Sequence, residues 1–196
     1  WDDRAGKFIC EQRRQVGKII LSKSALVDVP PDVHLGALVT VLRKSGLKLL
    51  PWTKNLEQWR SRVMLLHGDE AQQLRERDAV ATQNRWPDLS DEMLLATLEH
   101  WLSPYLMAVK RIEDFKKIDL KDILHAQLPW PLPLELERLA PECFEVPSGS
   151  TIKIDYSQSP PVLQVKLQEM FGCENTPCIA DGRIPVVVHL LSPARR

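Results

Sequence analysis

Arg13, Arg14, Lys18 and Lys23 fall within one short stretch near the front of this 196-residue chain, and their type and spacing suit one chemistry, the binding of phosphates. Contacts to a nucleic-acid backbone need positive charge at intervals and no base-specific geometry, so the binding they give is salt-dependent and tolerant of sequence. Arg43, Lys44 and Lys48 form a secondary group. They also sit at the end of a predicted helix, where cations suit the helix dipole without any ligand. The formal net charge of zero hides an asymmetry: residues 1–62 carry 12 Lys and Arg against 6 Asp and Glu, residues 63–145 carry 9 against 16, and residues 146–196 carry 5 against 4. Only the front of the chain suits a polyanion, and a solvated surface is the plain alternative.

Other chemistries lack their residues. A phosphate-binding P-loop needs Gly-Lys followed by Ser or Thr, but the Gly-Lys pairs here run into Phe8 and Ile19. Asp69-Glu70-Ala71-Gln72 is similar to the acidic box of a nucleotide hydrolase, yet it follows a helical pattern in a polar region, whereas such a box ends a buried strand. Ser148-Gly149-Ser150 is not a nucleophile elbow, and its serines suit turn backbone groups. Cys10, Cys143, Cys173 and Cys178 form no Cys-x-x-Cys pair, which predicts thiols in a reducing compartment and no zinc site. His34, His67, His100 and His189 lie in or beside apolar elements and are expected in core or half-buried places. Trp52, Trp59, Trp86, Trp101 and Trp130 are expected in the core or at corners.

The elements that must position these residues follow from period and punctuation. Residues 8–14 and 18–23 read as a hairpin turning at Gly17. Pro30-Pro31-Asp32 opens a helix whose Leu35, Leu38, Val39 and Leu42 form one stripe, stopped by Gly46. A second helix carries Leu56, Trp59, Val63 and Leu66 on one face, with Asn55 as predicted cap, Gln58 as its capping-box partner, and Arg60 and Arg62 pointing elsewhere. From 68 to 85 the chain is polar, a solvated helix or a connection. A third helix, capped by Ser90, is expected to end at Ser103-Pro104; a fourth starts near Asp119, and a short fifth has Pro133 in its first turn. The centre of the remainder is residues 144–156: a strand, a turn at Pro147 to Gly149, and a strand in which Ile152, Ile154 and Tyr156 share an apolar face. Its cover is expected from residues 160–172 and 184–191, with a hairpin at Asp181-Gly182 and an edge or bulge at Pro185.

The fold class predicted is α+β: a β-hairpin front, an acidic helical middle, and a mainly β C-terminal part with one short helix. The boundaries expected are 1–67, a polar connection at 68–85, and 86–196. No apolar run reaches the ~18 residues of a membrane span. The absence of an initial Met, and an end just after a hydrophobic run, predict a piece of a longer polypeptide.

Arg13 to Leu21, Leu50-Pro51-Trp52, Trp86 to Ser90, Trp101 to Leu106, Leu128-Pro129-Trp130, Val146 to Ser150, Ile154-Asp155-Tyr156, Pro160 to Leu163 and His189 to Pro193 occur in one order along almost the whole chain. Together they resemble the C-terminal portion of bacterial DEAH-box ATP-dependent helicases of the HrpB type. That resemblance implies a cytoplasmic parent with two RecA-like motor domains holding ATP and Mg²⁺, an accessory region, and then this segment. None of the family's catalytic motifs matches a position here, so no catalytic residue and no cofactor is expected in this chain. It also implies that the hairpin of residues 8–21 belongs to a partial OB-like barrel over a nucleic-acid channel. Two functions follow: contact with single-stranded RNA or DNA through the basic front, beside the motor domains in cis, or a scaffold for a protein partner built on the acidic middle and the edge near Pro185.

Overall fold

The computed structural model describes residues 2, 4–7, 9–25, 29–76 and 83–192, without the side chains of Gln12, Arg13, Lys23 and Ala25. Phe8, and residues 77–82 in the predicted polar connection, therefore lie outside the described residues. In chain order the elements are strands β1 (Glu11–Val16) and β2 (Ile19–Ala25), helices α1 (Pro31–Ser45), α2 (Lys54–Glu76), α3 (Asp91–Ala96), α4 (Leu98–Trp101), α5 (Ser103–Leu106), α6 (Leu120–His125) and α7 (Leu132–Leu139), then strands β3 (Cys143–Glu145), β4 (Thr151–Asp155), β5 (Val162–Lys166), β6 (Cys178–Ile179), β7 (Ile184–Pro185) and β8 (Val187–Leu191). Short 3₁₀ turns occupy Leu47–Leu49, Ile112–Lys117 and Leu167–Met170. The class is α+β.

The chain forms two compact units, each assembled from two stretches: 1–52 with 90–125, and 53–89 with 126–196. In the first unit β1 and β2 pair antiparallel around Gly17, whose φ of 60° a glycine adopts freely. The register slips between Arg14 and Gln15, a bulge that increases local twist. Pro31 starts α1 because its missing N–H falls where no intrahelical partner exists, and Gly46 ends it at φ 75°, donating to the Leu42 carbonyl at 2.7 Å. Leu38, Val39, Val41 and Leu42 are its buried face, packed against α5.

The run of residues 91–106 is not one helix. It breaks at Thr97 and Leu102 into α3, α4 and α5. Ser90 does cap α3, its hydroxyl accepting from the Met93 N–H at 3.2 Å. Ser103-Pro104 begins α5 instead of ending the helix before it, because proline is well placed in a first turn. Asp119 caps α6 through the Asp122 N–H.

In the second unit the cap of α2 is Thr53 and not Asn55. Its hydroxyl accepts from the Leu56 N–H at 3.2 Å and its carbonyl from Glu57 at 2.9 Å. The predicted capping-box residue Gln58 is committed to β4, donating to Asp155 Oδ1 and accepting from the Tyr156 N–H, both at 2.8 Å. Arg62 does not point to solvent: it is 1% exposed, as buried as Leu66 beside it. The helix continues through Asp69-Glu70-Ala71-Gln72 to Glu76, so the acidic box lies inside a helix and ends no strand.

The larger sheet has the order β3-β4-β5-β8, antiparallel except for the parallel pair β5–β8. Ile154, Leu163 and Val165 are buried on one face of it, Val162 is buried on the other, and Tyr156 is buried just past the end of β4. The Asp181-Gly182 turn joins β6 to β7, with Ala180, Asp181 and Gly182 all at positive φ, and the Ala180 N–H ties it to the Leu139 carbonyl at 2.7 Å. Pro185 sits in this two-stranded ribbon, where an absent N–H costs little. His100 and His189, expected in core or half-buried places, are exposed, and Trp130, expected in the core or at a corner, stands in the turn before α7 at 76% exposure.

Candidate nucleic-acid interface

The predicted cations all belong to the first unit. Arg14 lies in β1 and Lys18 in the turn; both side chains are exposed and pair with no carboxylate among the described residues. Arg13 and Lys23 are Cα partners across the ribbon, with side chains outside the described part. The ribbon presents every described side chain from Arg14 to Ser22 to solvent, including Val16 at 67%, Ile19 at 69% and Leu21 at 65%. Cations and apolar side chains thus share one exposed hairpin, a surface that serves a polyanion with stacked or apolar parts.

The second cationic group divides. Arg43 is spent in an ion pair with Glu99 at 2.8 Å, as its place at the end of α1 allows. Lys44 and Lys48 are exposed, and Lys48 pairs with no carboxylate among the described residues.

A further pair of cations is brought together by tertiary structure alone. The segment Asp2 to Lys7 closes on itself, with the Asp2 side chain accepting from the Arg4 and Ala5 N–H groups and the Gly6 N–H donating to the Asp2 carbonyl at 2.9 Å. Lys7 then forms an antiparallel bridge with Arg111, and the Ile112 N–H donates to the Gly6 carbonyl at 2.9 Å. Ala5, Gly6, Lys7, Arg111 and Glu113 line an open cleft of about 360 Å³. Beneath it Asp114 fixes the backbone, accepting from the Lys110 and Arg111 N–H groups at 3.1 and 2.9 Å and from Lys117 at 2.7 Å. The Lys117 ammonium and those two N–H groups hold the Asp114 carboxyl down at about 2. Nothing in the sequence joins Lys7 to Arg111; the positions are remote and neither sits in a recognisable pattern.

In the second unit several arginines are spent in ion pairs, while Lys54, Arg75, Lys153 and Lys166 are exposed. Arg85 pairs with Glu70 at 2.9 Å and Glu135 at 3.2 Å, Arg138 with Asp181, and Arg183 with Asp69 at 2.9 Å. Partial burial works to raise the Glu70 carboxyl, but the Arg85 side chain and the Arg85 and Trp86 N–H groups outweigh it and hold the group below its ordinary value. Burial pushes the Tyr156 hydroxyl up, and it donates to the Pro141 carbonyl at 2.6 Å, a packing role. Among the described residues no group of three or more His, Cys, Asp or Glu is placed to hold a metal ion, and no helix is long and apolar enough to cross a membrane.

Comparison with known proteins gives two family matches in one order. A model described as ATP-dependent helicase C-terminal matches residues 101–196, and one for the connector region of the ATP-dependent RNA helicase HrpB matches residues 1–26. The chain is 37% identical over 197 residues to the ATP-dependent RNA helicase HrpB of Escherichia coli strain K12, covering 100% of this chain and 23% of that protein. A crystal structure of the E. coli DExH-box NTPase HrpB aligns with a TM-score of 0.73 at 36% identity, over 100% of this chain and 23% of that one. A crystal structure of the Escherichia coli DEAH/RHA helicase HrpB aligns with a TM-score of 0.70 at 35% identity, over 97% and 23%. The chain therefore spans less than a quarter of the length of these relatives.

Proposed function

We propose, for a chain that belongs to the HrpB family of ATP-dependent helicases as connector and C-terminal region, that it is a non-catalytic accessory part of an ATP-dependent RNA helicase, guiding single-stranded nucleic acid. Motor domains in cis bind ATP and Mg²⁺ and do the chemical work; this chain supplies shape and positive potential, in the cytoplasm of a bacterium. The reading is carried by the exposed hairpin β1–β2, whose Arg14 and Lys18 have no carboxylate partner among the described residues. Unpaired cations on a projecting ribbon repel one another less when a phosphate chain lies along them. Arg13 and Lys23, in register across the same ribbon, belong to this reading, with Lys44 and Lys48 secondary and Arg43 weakened as a candidate by its pair with Glu99.

Titration of labelled single-stranded RNA into the chain at about 50 mM salt tests it. Binding that weakens steeply with added salt, and weakens further in the Arg14→Ala/Lys18→Ala variant, is the expected result. No binding at low salt, or binding indifferent to both changes, refutes it.

A protein-binding role is the second reading, supported by Trp130 at 76% exposure with Leu134 at 59% on the adjacent turn of α7. Aromatic and aliphatic anchors of this kind are what protein partners bury. In that case Trp130→Ala leaves RNA affinity unchanged and abolishes association with a protein partner.

A further inference from the structure

We propose that Lys7 and Arg111 form a clamp for one phosphate of a single-stranded RNA backbone, at a site separate from the hairpin β1–β2. The inference rests on the nucleic-acid reading above and names a binding site within it. Directly opposed residues of an antiparallel pair hold their Cβ atoms about 5 Å apart, so the two long cationic side chains reach the same volume. Like charges so placed are unfavourable unless an anion shares them. Among the described residues no carboxylate pairs with either side chain, and both are exposed. Asp114 is already committed to Lys117 and to the Lys110 and Arg111 N–H groups.

The backbone around the pair is fixed before any ligand arrives. The Asp2 turn closes one side, and the Gly6–Ile112 hydrogen bond locks the two segments together. Gly6 has a φ of 58°, and a Cβ there would stand 3.4 Å from Ile112 Cγ2, so the segments meet closely enough to form a floor. The open cleft of about 360 Å³ between them leaves room for a phosphate group. Arg4, Lys110 and Lys116, all exposed, add to the positive potential, while Glu113 on the cleft wall subtracts from it.

Labelled single-stranded RNA is titrated across a salt series into the full chain, its Lys7→Ala/Arg111→Ala variant, its Arg14→Ala/Lys18→Ala variant and its Glu113→Gln variant. The clamp predicts that the Lys7/Arg111 variant binds about tenfold more weakly at low salt and that its log-affinity against log-salt slope falls by about 0.7, the value for one single-strand phosphate. It also predicts about threefold tighter binding for Glu113→Gln, as expected when one like charge some 7 Å from a phosphate is removed in a watery site. The Glu113 arm decides the matter even if the double alanine variant fails to fold. Binding by the parent chain that weakens in the Arg14/Lys18 variant but is the same in the Lys7/Arg111 and Glu113 variants overturns the clamp and leaves the accessory role standing. Absence of RNA binding by the parent chain overturns both.

Discussion

Arg62 is the residue at which side-chain type and environment disagree most. A guanidinium 1% exposed is costly unless every donor is used, and here Nε donates to the Ala140 carbonyl at 2.5 Å, while the two Nη groups meet Glu137 at 2.8 Å and Glu142 at 3.4 Å. The two glutamates are 59% and 62% exposed and can be resolvated, whereas Ala140 is fully buried and its carbonyl cannot. Arg62→Met, which keeps most of the volume, therefore orphans one buried acceptor and should lower the unfolding free energy by about 2 kcal/mol. A urea unfolding series reads this as a lower midpoint at unchanged slope. Asp114 gives a second prediction at this scale. Its folded value lies at about 2, below the ordinary 3.8, so the stability it contributes is complete above 3.8 and is lost as pH falls through that window. Thermal midpoints of the chain and of Asp114→Asn, separated at pH 6, should converge between pH 4 and 2. Parallel curves would show that the Lys117 and backbone contacts contribute nothing in solution.

Helix ends show how local signals and tertiary demands compete. Asn55 and Gln58 fit the capping-box spacing, but Gln58 is drawn to Asp155 and Tyr156 of the second unit's sheet, and the cap passes to Thr53. Thr53→Ala should thus cost about 1 kcal/mol in unfolding experiments, while Asn55→Ala stays within a few tenths. The reverse order of effects would restore Asn55 as the cap. At Ser103-Pro104 a similar ambiguity is settled by the fold: a proline can end one helix or begin the next, and here it sits in the first turn of α5. The hairpin β1–β2 needed no such arbitration: Gly17 between two extended runs leaves one conformation within easy reach.

For the molecule as a whole, the decisive observation is how charge is distributed between the units. Arg62, Arg85, Arg138 and Arg183 of the second unit are paired with carboxylates, while Arg14, Lys18, Lys7 and Arg111, unpaired among the described residues, stand in the first unit at the ribbon and at the Lys7–Arg111 bridge. Potential of this kind steers and holds a polyanion but breaks no bond. The purified chain should accordingly release no phosphate from ATP above the buffer rate, with or without RNA, in a continuous phosphate assay. Turnover that copurifies with the chain through successive columns and tracks its concentration would refute the accessory role.

Whereas the breaks that divide residues 91–106 into three helices were not legible in the residues, the front hairpin, the α1 stripe with its Gly46 stop, the strand-turn-strand of residues 144–156, the Asp181-Gly182 turn and the family itself were. Each depends on neighbours within a few positions or on motifs in fixed order, and period and turn chemistry report such relations directly. Tertiary structure alone decided that each unit draws on two separated stretches, that β5 and β8 pair in parallel, that Arg62 is buried and Trp130 is not, and that Lys7 faces Arg111. Arg62 reaches a carbonyl 78 positions away. A helical period says which side a residue occupies; what waits there is set by packing among distant segments.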